Sequence, residues 1–96
     1  MPRTSLPPVN PRPYRPVSPG EVLDRELKAR RMSRKRLADR MGASVELVED
    51  ILRARRAITA DIALSLAEAL GTAAEPWMNM ESNYRLDLAR RARKAG

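Results

Sequence analysis

The sequence predicts an all-α fold of five helices joined by tight turns, and three observations predict it. Apolar residues recur at intervals of three and four along residues 18–88. A hydroxyl residue, Ser18, Ser33, Ser44 or Thr59, stands before successive periodic stretches, where a side-chain oxygen caps free backbone N–H groups. Between Leu37 and Arg53 the periodicity breaks once, at Gly42, and resumes in a new phase.

Residues 1–17 come before this order. They hold six of the eight prolines together with Arg3, Arg12 and Arg15. Proline removes backbone donors and disfavours helix at the preceding residue, so a disordered Pro/Arg-rich arm is expected, either inert or ordering on DNA or protein. The domain is expected over 18–90, with 91–96 a frayed basic tail.

In SPGE, Ser18 is the N-cap, Pro19 suits the first helical position and Glu21 has capping-box spacing. Val22, Leu23, Leu27 and Ala29 supply the buried stripe of the first helix. Its outer face carries Arg25, Lys28, Arg30 and Arg31 and runs into Arg34, Lys35 and Arg36. Such a run is either a solvated face or a phosphate seat; the second reading draws on Ser33, which caps the next helix and turns its free N–H groups towards the same region.

Leu37, Ala38 and Met41 form one short helix, and Val48, Ile51 and Leu52 the next. Gly42 takes the left-handed conformation that ends the first, and Ser44 caps the second. Alanine, glycine four residues on, a branched aliphatic six further and another three beyond resemble the helix-turn-helix spacing, filled by Ala38, Gly42, Val48 and Ile51, although a plain helical hairpin can have it too. The outer face of the second helix would enter a major groove, yet it offers Val45, Glu46, Glu49 and Asp50. Carboxylates accept from cytosine N4 but repel phosphates. Arg53, Arg55 and Arg56 follow and suit flanking phosphates. Either the acids read cytosines between arginine anchors, or the motif is a scaffold whose acids face a basic protein.

Thr59 caps a fourth helix with the stripe Ile62, Ala63, Leu66, Ala67 and Leu70, ended by Gly71, and Ile58 folds back on the core. Thr72 and Glu75 have capping-box spacing for a fifth helix, whose stripe is Trp77, Met80, Tyr84 and Leu88. Met78 and Leu86 lie off it, which leaves either extra core or a dimer contact through Met78, Leu86 and Leu88.

Composition bounds the chemistry. Without cysteine or histidine there is no disulfide, thiolate nucleophile, histidine base or their metal sites, and aromatics at 3% leave little for an enclosed pocket. Neither an enzyme nor a metal or cofactor is expected. A net charge of +7 favours an anionic partner, with nucleic acid first, an acidic protein second and a membrane surface third. No apolar run suits a signal peptide or membrane span, so a cytoplasmic protein is expected.

From about Arg15 to Leu88 the chain resembles the HigA-type antitoxins of higBA toxin–antitoxin systems, a branch of the XRE helix-turn-helix regulators. RPVSPGEVL, LADRMGAS, RRAITADIALSLAEALGT and PWMNMESNY carry the resemblance, the first and last most specifically, with Trp77, Asn79, Asn83 and Tyr84 in the last. It implies a compact, lambda-repressor-like five-helix domain, usually a homodimer, that binds a toxin of the RelE-like ribonuclease class and represses its own operator. By position, Ser44 to Arg53 would be the recognition helix, with Ser33, Arg34 and the adjoining Lys35 near the phosphate backbone. The chain departs from the family in the acids Glu46, Glu49 and Asp50, and in Ala54, which stands in a turn that usually contains glycine.

Overall fold

The computed structural model describes residues 16–95. The arm expected over 1–17 lies outside them except for Pro16 and Val17. Five helices follow one another without a strand among the described residues: α1 (Pro19–Arg30), α2 (Arg34–Met41), α3 (Val45–Leu52), α4 (Ala60–Leu70) and α5 (Glu75–Ala95).

Helix starts follow the caps. The hydroxyls of Ser18, Ser33, Ser44 and Thr59 each accept the backbone N–H three residues on, at 3.0–3.3 Å. At Ser18 the Glu21 carboxylate returns the bond to the cap N–H, completing the capping box. Helix ends follow the left-handed positions: Gly42 and Gly71 have φ of 65° and 70°. Arg31, with φ of 54°, takes the same role without glycine's freedom.

Leu23, Leu37, Val48 and Leu66 are completely buried, one from each of the first four helices, and Trp77 closes the core from α5. Truncating such a leucine to alanine costs about 2–5 kcal/mol, a large part of the stability of so small a domain. Ala29, expected in the stripe of α1, is exposed instead, because the inward stripe ends at Leu27, one turn before the helix does. No helix among the described residues is long and apolar enough to cross a membrane.

The fifth helix differs from expectation at both ends. Thr72 does not cap it: its hydroxyl donates to the Ala73 carbonyl, and α5 begins at Glu75, with Ala74 accepting from Trp77 and Met78. Pro76 then lies in the first turn, where its missing N–H forfeits no helical bond. The other end does not fray near residue 90 but continues as helix to Ala95. Alanine and arginine are good helix formers, and Arg93 and Lys94 complement the negative end of the dipole.

Candidate nucleic-acid interface

The turn between α2 and α3 is built as the spacing requires. Ala38 is buried at the crossing of the two helices, its carbonyl accepts the Ala43 N–H at 2.9 Å, and the Asp39 carbonyl accepts that of Gly42. Val48 and Ile51 fill the inner face of α3. Outwards, Glu46 is exposed while Glu49 and Asp50 are partly so. Val45 differs: it packs half-buried against the core, so only part of it faces out.

The structure answers the electrostatic objection to those acids in part. Arg34, at the start of α2, reaches across the turn so that Nη1 lies 3.5 Å from Oε2 of Glu49. Just beyond the C-terminal end of α3, Nη2 of Arg55 lies 3.5 Å from Oδ1 of Asp50. Each pair is solvent-exposed and weak, about 0–1 kcal/mol, so a phosphate can take over either arginine. Two of the three acids thus have a cation beside them before any ligand arrives. Glu46 has no such partner among the described residues.

The remaining residues of the expected site divide by what already holds them. Ser33 and Ser44 spend their hydroxyls as caps. Lys35 pairs with Asp39 one turn along α2. Arg53 and Arg56 are exposed. Arg25 of α1, Arg34 and Arg53 line one depression together with Gly20, Leu52 and the acids Glu21 and Asp24. Arg30, part of the expected basic run, is occupied otherwise: its Nη1 donates to the Leu70 carbonyl at 2.8 Å, and Arg40 donates to Ala69. Together they cap the C-terminal end of α4 from two other helices.

Three supporting residues escaped the sequence reading. Gly20 is buried where α1 meets the end of α3; a Cβ there would lie 2.2 Å from the Ile51 carbonyl oxygen. A glycine in a helix that could hold alanine was the available signal. Arg40 and the buried Glu81 act over 29 and 23 residues of sequence, a separation at which spacing carries no signal. Ala54, marked in the sequence as a poor substitute for glycine, does adopt the left-handed conformation, with φ of 58°.

The residues expected at a dimer contact do not share a surface. Leu86 and Leu88 are partly exposed on the outer half of α5, and two residues apart they point about 200° from one another. Met78 lies a full two turns earlier, in a groove between α4 and α5.

Caps, crossing and an outward α3 define a helix-turn-helix protein. Residues 23–77 match the Helix-turn-helix family (HTH_3). The virulence-associated protein I of Dichelobacter nodosus is 39% identical over 74 residues, covering 76% of this chain and 68% of that protein. The antitoxin HigA of Pseudomonas aeruginosa, solved with the higBA promoter, is 39% identical over 84% of this chain and 89% of its own, with a TM-score of 0.78. An addiction module antidote protein of the HigA family from Coxiella burnetii is also 39% identical, over 82% and 87% of the two chains, with a TM-score of 0.77. The chain therefore belongs to the helix-turn-helix family, in its HigA antitoxin branch, and it is not an enzyme.

Proposed function

We propose that this protein is an antitoxin that represses its own operator through α3 and neutralises a RelE-like ribonuclease toxin. The observation that carries the DNA-binding half is the placing of Arg34 and Arg55 beside two successive acids of α3, Glu49 and Asp50, each at 3.5 Å. Phosphates can recruit these arginines, with the exposed Arg53 and Arg56 close to them in sequence. Glu49 and Asp50 are then released towards base edges, where a carboxylate accepts from cytosine N4. The likeness to a HigA solved with promoter DNA supports the same reading.

The active unit on this reading is a homodimer that sets two α3 helices about 34 Å apart on a palindromic site. A second copy seats on the outer half of α5, on the side that carries Leu86, the more exposed of its two leucines. Replacing Leu86 by aspartate should leave a monomer in sedimentation velocity; an unchanged mass would put the contact elsewhere.

The test of operator binding is fluorescence anisotropy on the protein's own upstream DNA and on a scrambled duplex, across a salt series. Specific binding should favour the native sequence by about 4 kcal/mol or more. Equal, salt-sensitive binding to both would favour a second reading, a toxin inhibitor whose α3 no longer reads bases. The exposed Glu46 in the first turn of α3, unpaired among the described residues, is the observation on that side.

A further inference from the structure

Charge is divided unevenly along this chain. Residues 57–84 contain four acids and no lysine or arginine; all 19 basic residues lie outside, against the other eight acids, so a stretch of −4 sits in a remainder of +11. The fold buries Glu81 and leaves Asp61, Glu68 and Glu75 exposed. Asp61, Leu64 and Glu68 follow at intervals of three and four on α4 and share one stripe, and Glu75 opens α5.

Among the described residues these three acids, like Glu46, are unpartnered. Among the described residues every other acid except Glu46 has a cation or a cap to hold, and Asp61, Glu68 and Glu75 have neither. Beside them runs an apolar groove lined by Ala60, Ala63, Leu64, Ala74 and Met78, with Glu75 at its edge. Leu64 is 55% exposed and Met78 38%.

We propose that this groove is the docking surface for a basic protein and, resting on the antitoxin reading above, that this protein is the ribonuclease toxin. An enzyme that grips RNA carries a cationic surface, because the substrate is a polyanion. Three exposed carboxylates without partners among the described residues complement that surface at no cost in ion pairs broken there. Leu64 offers an apolar anchor of the kind that concentrates interface energy, and Met78 adapts its shape to whatever enters beside it. No lining residue comes from α2 or α3, so toxin and operator engage different helices of one domain.

The test uses the full chain and the purified product of the reading frame adjoining its gene, titrated calorimetrically. Two variants are compared with the parent: Leu64→Ser, and the triple Asp61→Asn, Glu68→Gln, Glu75→Gln. The first should weaken toxin binding by about 30-fold, as loss of an interface anchor does. The second should slow association and flatten its salt dependence. Both should keep the parent's circular dichroism and promoter binding. Parent-like toxin affinity in both variants overturns the proposal and leaves the antitoxin reading standing. A parent chain that fails to bind or inhibit the product removes the antitoxin reading and this proposal together. Variants that turn a dimeric parent into a monomer would show that a second copy, not the toxin, fills the groove.

Discussion

The carboxylate of Glu81 on α5 accepts the backbone N–H of Ile58 at 3.1 Å, tying the loop that follows α3 to the last helix. Its other oxygen takes the Arg85 guanidinium, so one buried acid is held by one backbone and one side-chain donor. The loop it fixes is the one that carries Arg53, Arg55 and Arg56.

Replacing Glu81 by alanine should therefore cost about 1–3 kcal/mol, the penalty of leaving the buried Ile58 N–H without an acceptor. At about 4–8 °C per kcal/mol in a domain of this size, the fall in melting temperature is measurable by scanning calorimetry. Glu81→Gln keeps an acceptor for Ile58 and should recover most of the loss. Equal destabilisation by both would show that the Arg85 pair, not the backbone bond, is what matters.

Gly20→Ala should be the more damaging change, although alanine is the better helix former. The clashing atoms are the carbonyls of Ile51 and Leu52, backbone that a rotamer change cannot move aside. Overpacking of this kind costs about 3 kcal/mol, and relief requires α1 to separate from α3. Urea denaturation should show it as a lower midpoint, and operator binding should fall with it.

Ala54→Gly should stabilise. With φ of 58°, Ala54 occupies a region that disfavours a Cβ by about 1–2 kcal/mol, while glycine costs about 0.5–1 kcal/mol in chain entropy. A net gain of about 0.5–1 kcal/mol should appear as a higher urea midpoint at unchanged slope.

These positions show where the sequence was legible. The four hydroxyl caps, the glycine stops and the Ala38, Gly42, Val48, Ile51 set are local signals, each readable within about ten residues, and the helices start and turn where they require. Even Ala54 was marked by its chemistry. What escaped was long-range: the Arg30 and Arg40 caps on α4 and the Glu81 bond to Ile58 join residues that only tertiary packing brings together. The end of α5 escaped for a different reason. Without an apolar stripe its last turns look like a tail, while propensity and the helix dipole keep them helical. At the candidate interface the charges could be counted from sequence, but their pairing across the turn could not.

That pairing holds Arg34 and Arg55 back from phosphates. In Glu49→Gln, Asp50→Asn protein, Arg34 and Arg55 lose their internal partners and become free for phosphates from the outset. Binding to scrambled DNA at low salt should tighten, and the slope of log affinity against log salt should steepen by about 0.9 for each additional phosphate neutralised. Affinity for the native operator should rise less, because the substitutions also remove the carboxylates proposed to accept from cytosine. The ratio of native to scrambled binding, read by anisotropy at a single salt concentration, should therefore shrink. If both affinities rise by the same factor, Glu49 and Asp50 only restrain the arginines, and whatever sequence is read is read by other residues of α3.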